Sequence, residues 1–166
     1  MLCPWVAVQE LFPNGQRPEF SSLQVQGQTI GSARMAGRPT PDANKPMLLF
    51  VHGSPGSWKA WSGFLKAPEL ADYKSRVSVD RPGFGASSAR GVMPDLHKQA
   101  AVLTELIPPD QKAIVIGHSL GAPPAAWMAI DAPDRVCGVV SIAGSLSSLY
   151  EAPRWYNRLA DSVLVS

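Results

Sequence analysis

The sequence predicts an α/β fold: a mostly parallel sheet with helices on both faces, entered through an antiparallel N-terminal hairpin. Three observations carry this. Short unbroken apolar runs, as in "PMLLFVHG" (46–53), "KAIVIGHS" (112–119) and "VCGVVSIAG" (136–144), end in turn residues, the signature of parallel strands buried on both faces. Helix-like segments alternate with them, and that alternation places crossovers on the sheet faces. Near the start, "SSLQVQGQTIGSARMAG" (21–37) alternates apolar and polar residues and breaks at Gly27, as a hairpin does.

In chain order, residues 1–20 read as an N-terminal extension. The opening "MLCPWVAVQE" is apolar but has no basic start and no small-residue cleavage site, so it makes a poor signal peptide. Remnant of a longer leader stays open as a reading, with a cytoplasmic location as the default. After the hairpin, "GRPTPDANK" is a loop. The strand at 46–53 is followed by helix-like "WKAWSGFLKA" and a second strand, "SRVSVD" (75–80). "PDLHKQAAVLTELI" (94–107) carries Leu96, Ala100, Leu103 and Ile107 at helical spacing, with Pro94 as its start and Pro108-Pro109 as its stop. "LGAPPAAWMAI" is a further helix between the strands at 112–119 and 136–144.

Composition narrows the function classes. The 166 residues are a one-domain length. Fifteen basic and thirteen acidic residues are scattered, so nucleic acid is not an expected partner. No apolar run reaches the ~18 residues of a membrane span. Cys3 and Cys137 form no CxxC, and Cys137 in its apolar run reads as a buried free thiol. No metal or other cofactor is expected.

The chemistry-bearing stretch is "GHSLG", Gly117-His118-Ser119-Leu120-Gly121. G-x-S-x-G alone is weak, since a chain of this length holds one by chance about once in twenty cases. Its placement between a buried strand and a helix is the context of a nucleophile elbow. Such a turn is too tight for bulk at Gly117 and Gly121. It lifts the Ser119 hydroxyl clear of the sheet, and the helix that follows points unpaired N–H groups at it. Pro123 and Pro124 are tolerated in that helix's first turn. A bare connecting turn is the bland alternative.

Two further motifs follow strands. "FVHGSPGSW" sets His52-Gly53-Ser54 at a strand end, where small residues let a backbone N–H approach a substrate carbonyl. "DRPGFGAS" (80–87) is a Gly-rich turn that lacks both GxxxxGK[ST] and the third glycine of a dinucleotide loop.

"HGSPGSW", "DRPGFGAS" and "GHSLGA", in this order, resemble the α/β-hydrolase fold family over residues 22–146. The similarity is to the branch of small esterases, C–C hydrolases, non-haem peroxidases, epoxide hydrolases and dehalogenases. The resemblance implies Ser119 as nucleophile and the backbone N–H groups of Ser54 and Leu120 as the oxyanion hole, supported by His52, Gly53, Gly117, His118 and Gly121. Relatives that dehalogenate or open epoxides carry aspartate at the elbow. Serine here favours acyl transfer, with a small-molecule ester or similar acyl substrate.

One departure is large. The family continues with a cap and two more strands that bring an acid and the catalytic histidine. Here residues 21–146 make a partial core and 147–166 the start of a cap, with Tyr156, Leu159 and Val163 as a short stripe that reads as ordinary packing. His52 and His118 belong to the motifs and His97 reads as a surface or boundary residue, while Glu151 and Asp161 fall in the cap. No base and no acid are left in the chain. Two readings stand: a serine hydrolase whose remaining strands are encoded downstream, or a non-catalytic hydrolase-like protein that binds a partner through an exposed sheet edge at 136–144. A peroxide-using perhydrolase is a lesser variant of the first.

Overall fold

The hairpin predicted around Gly27 is closed by a two-residue turn. Gln26 and Gly27 both take positive φ, 48° and 77°, which suits the twist of tightly joined antiparallel strands. It joins β1 (Glu19–Val25) to β2 (Gln28–Ala36), with Val25 opposite Gln28 and Leu23 opposite Ile30. The computed structural model describes residues 11–12, 17–39, 42, 44–91, 93–144 and 146. Cys3 and residues 147–166, with Glu151, Tyr156, Leu159, Asp161 and Val163, lie outside the described residues.

Four strands follow: β3 (Met47–Val51), β4 (Ser75–Val79), β5 (Ala113–His118) and β6 (Val136–Ile142). The sheet order is β1-β2-β4-β3-β5-β6. β2 runs antiparallel to β4, and β4, β3, β5 and β6 are mutually parallel. Every residue of β3 and β4 is buried, as expected for central parallel strands.

The faces are covered by α1 (Ser62–Lys66), α2 (Leu96–Thr104) and α3 (Ala122–Asp131). Alternate residues of β3 feed two cores. Met47, Leu49 and Val51 join Leu103, Ile107 and Met128 on the α2–α3 face. Leu48 and Phe50 pack with Trp58, Trp61 and Leu65 on the α1 face. Truncating a fully buried leucine such as Leu49 or Leu65 costs about 2–5 kcal/mol.

α2 is shorter than its apolar spacing suggests. Pro94 precedes it and Asp95 is the N-cap, its Oδ1 accepting the N–H groups of His97 and Lys98 at 3.0 Å each. At the other end Leu106 and Ile107 bond back three residues, to Leu103 and Thr104. Ile107 thus reaches the core from a tight turn, not from the helix. Pro123 and Pro124 do lie in the first turn of α3.

β6 corrects the reading of Cys137. It pairs with β5 alone among the described residues, and Cys137 is exposed. The apolar run suggested burial on both faces, but one side of the strand has no neighbour here. Its thiol still reaches the Ala113 carbonyl at 3.4 Å.

Candidate active site

Ser119 stands where β5 hands over to α3 through a 3₁₀ turn at Ser119–Gly121. Its φ is +48°, a left-handed conformation that costs a non-glycine residue about 1 kcal/mol or more. The turn leaves no space beside it. A methyl group on Gly117 would stand 2.5 Å from the Gly121 carbonyl oxygen and 2.6 Å from Ala122 Cα. On Gly121 it would stand 2.4 Å from the Val51 oxygen. All of these contacts are with backbone, so both glycines are required by sterics.

The end of β3 comes up against this turn. A methyl on Gly53 would meet Ser119 Cβ and His118 Nδ1 at 3.0 Å each. The two motifs, separated by more than sixty positions, are thus neighbours. Ser54, the residue after Gly53, is exposed, and Leu120 is 43% exposed. His118 is also exposed, with its ring 6.4 Å from that of Trp61.

His52 is fully buried, and its two ring nitrogens define its state. Nδ1 lies 2.6 Å from the Gly53 carbonyl oxygen and therefore carries the proton; Nε2 accepts the Arg81 N–H at 3.0 Å. Burial above all pushes its pKa below 6.5; the Arg81 charge acts in the same direction, while the Gly53 bond and Asp80 oppose it. With its lone pair occupied, His52 cannot act as a base.

Arg81 and Asp80 are the residues that sequence reasoning missed. The Arg81 guanidinium is fully buried, donating from Nη2 to the Gly53 carbonyl at 3.0 Å and from Nη1 to Gln99 Oε1 at 3.2 Å. The Gly53 carbonyl therefore takes two hydrogen bonds. Because a trans peptide sets its C=O and N–H in opposite directions, those bonds also fix where the Ser54 N–H points. Asp80 organises the adjoining Gly-rich turn, accepting the N–H groups of Trp58 at 2.7 Å and Ala86 at 2.9 Å. Gly85 has positive φ, and a methyl there would lie 2.3 Å from Asp80 Oδ2. The available signal was an Asp-Arg-Pro-Gly sequence closing a buried strand, where a charged pair must find partners.

His97 does not share these hydrogen bonds. It is exposed on α2, bonded through Nε2 to Asp131 Oδ2 at 2.5 Å and stacked on Trp127 at 4.2 Å. Among the described residues no group of three His, Cys, Asp or Glu side chains could hold a metal ion. No helix among them is long and apolar enough to cross a membrane.

A family model for the α/β-hydrolase fold matches residues 46–163. The chain belongs to the α/β-hydrolase fold family. This α/β hydrolase is similar to epoxide hydrolase B of Mycobacterium tuberculosis, 34% identical over 62% of this chain and 30% of that protein. It is similar to the dihydrolipoyllysine-residue acetyltransferase component of the acetoin cleaving system of Cupriavidus necator, 35% identical over 75% and 32%. With pimeloyl-[acyl-carrier protein] methyl ester esterase of Klebsiella pneumoniae the identity is 35% over 59% and 36%. The chain spans about a third of the length of these curated relatives.

Solved structures agree on the fold. N-formylmaleamic acid deformylase from Pseudomonas putida superposes with a TM-score of 0.68 at 21% identity, over 89% of this chain and 56% of that one. A haloalkane dehalogenase from Agrobacterium tumefaciens gives 0.67 at 20%, over 88% and 49%. At such identities the likeness is one of architecture.

Proposed function

We propose that this α/β hydrolase is a serine hydrolase that cleaves carboxylic esters or similar acyl bonds through an acyl-enzyme on Ser119. The observation that carries the proposal is the left-handed Ser119 packed against Gly53 at the ends of two adjacent parallel strands. In this reading the Ser119 hydroxyl attacks the acyl carbonyl, and the developing oxyanion takes hydrogen bonds from the N–H groups of Ser54 and Leu120. One such donor contributes about 10²–10³-fold to kcat. His52 and Arg81 act on the Gly53 carbonyl and hold the Ser54 N–H in place.

Serine at the elbow supports acyl chemistry over the epoxide opening named for one relative. The methyl ester esterases among the relatives point the same way. Among the described residues no histidine bonds to Ser119, so the proposal assigns the general base and its acid to residues other than these. The test is to express the whole reading frame that encodes this chain and to measure hydrolysis of p-nitrophenyl acetate and labelling by a fluorophosphonate. Both should occur and both should vanish in Ser119→Ala. Failure of both in the longest product would sink the proposal.

A second reading has its own observation. Val139, Val140 and Ile142 of β6 are exposed, as on a non-catalytic protein that binds a partner by its sheet edge. It predicts a stable, inert product in the same assays.

A further inference from the structure

At the end of the sheet remote from Ser119 lies a cavity of about 390 Å³, whose lining includes Met35, Arg38, Lys66, Pro68 and Arg76. Its position follows from register. Arg76 is the second residue of β4, opposite Leu48 on β3 and Met35 on β2, whereas Gly53 and Ser119 follow the other ends of β3 and β5. Three strand residues, about 10 Å, separate the Arg76 level from the Val79–Val51 level.

The charges around this cavity do not balance. Arg76 is only 5% exposed, yet its Nη1 and Nη2 donate to neutral acceptors, the carbonyls of Ala67 at 3.0 Å and Ala36 at 2.9 Å. Its Nε has no partner among the described residues. Lys66 Nζ likewise reaches a neutral carbonyl, that of Leu11, at 3.2 Å. Of the three cations only Arg38 has a carboxylate among the described residues, Asp72 at 3.1 Å. A buried guanidinium with no anion is costly. Its pKa is drawn below the ordinary arginine value, mainly by burial and further by the Arg38 charge. With Asp72, which pairs with Arg38, counted against the three cations of the lining, two positive charges are in excess among these described residues.

We propose that this cavity binds a phosphate dianion carried by a small soluble phosphate monoester. Two negative charges match the excess, and phosphate oxygens suit guanidinium donors. The volume falls in the range of small-molecule sites, about 300–1,000 Å³. Met35 and Pro68 offer apolar wall to the organic part. Because the site lies at the opposite end of the strands from Ser119, such a ligand is an effector or anchor and not the acyl substrate.

The test is calorimetric titration of the product of the whole reading frame with inorganic phosphate and with glycerol 3-phosphate, with sodium acetate as the monoanion control. One saturable site should appear for both phosphates, at least about tenfold weaker in Arg38→Gln and in Lys66→Gln, each loss being that of one charge-assisted bond. Both side chains are exposed, so these variants leave the buried contacts of Arg76 with the Ala67 and Ala36 carbonyls intact. Ser119→Ala should bind phosphate as the parent does. Absence of saturable binding, unchanged affinity in the Arg38→Gln/Lys66→Gln double variant, or acetate binding as tightly as phosphate would each overturn the proposal.

Discussion

Gly53 and Ser119 meet with no room for another carbon: a methyl group on Gly53 would sit 3.0 Å from Ser119 Cβ. The end of β3 and the turn after β5 are thereby held as one unit. Gly53→Ala must displace one of them by a few tenths of an ångström. The exposed His118 can yield, but Ser119 is held in a left-handed turn between two glycines. The expected stability loss is about 1 kcal/mol, at the low end of overpacking costs. Fluorophosphonate labelling of the active protein should slow by about tenfold or more, since oxyanion geometry is lost with small shifts. Labelling at the parental rate would separate Gly53 from the site.

Gly117→Ala provides the contrast. Its methyl would lie 2.5 Å from the Gly121 carbonyl oxygen and 2.6 Å from Ala122 Cα, and backbone cannot swing away as a side chain can. A loss of about 3 kcal/mol or more is expected, read by urea denaturation. A variant as stable as the parent would mean that the turn at Ser119 is looser than these contacts require.

Buried His52 makes stability depend on pH. Its folded pKa is depressed below 6.5, so the unfolded chain binds a proton at a higher pH than the folded chain does. Stability contributed by the neutral ring is complete above the unfolded pKa of 6.5 and falls as the pH drops below it, until the folded pKa is reached. Melting temperatures should therefore decline from pH 7.5 towards pH 5, and His52→Gln should flatten that slope while lowering Tm overall. An equal slope in the variant would assign the pH dependence to other groups.

These features were unequally legible in the sequence. The strands at 46–53 and 112–119 announce themselves because burial on both faces leaves unbroken apolar runs, whereas the equally apolar run at 136–144 forms a strand that is mostly exposed. The tight turn at Ser119 is legible because Gly117 and Gly121 flank a serine where one periodicity changes to another. His52 was visible only as part of a motif; its tautomer depends on Arg81, which is 29 positions away. The two-fold grip on the Gly53 carbonyl is likewise a tertiary fact. The exposure of Cys137 could not be read from its own neighbours, because it depends on what lies beside β6. The cap-like stretch at 147–166 lies outside the described residues.

Cys137 reports on that edge. If β6 is open as described, its thiol should react with a disulfide reagent in the native protein at a rate near that of the unfolded chain. Protection by orders of magnitude would mean that the edge is covered in solution.

The last expectation is that the edge associates. β6 pairs on one side only among the described residues, and Val139, Val140 and Ile142 are 37%, 45% and 38% exposed. Edge strands that stay monomeric carry charges, prolines or bulges against pairing. β6 contains no charged residue and no proline; its one irregularity is at its start, where Cys137 has no partner between Val136 opposite Ala113 and Gly138 opposite Ile114, which leaves Val139–Ile142 in regular register. The 166-residue chain should therefore elute from size exclusion as an oligomer or aggregate. Val140→Lys should shift it towards monomer, at a stability cost within about 0.5 kcal/mol because the position is already exposed. A monodisperse parent with a cooperative melt would refute this. It would also favour the binding-protein reading, since the chain would then possess its own cover for β6.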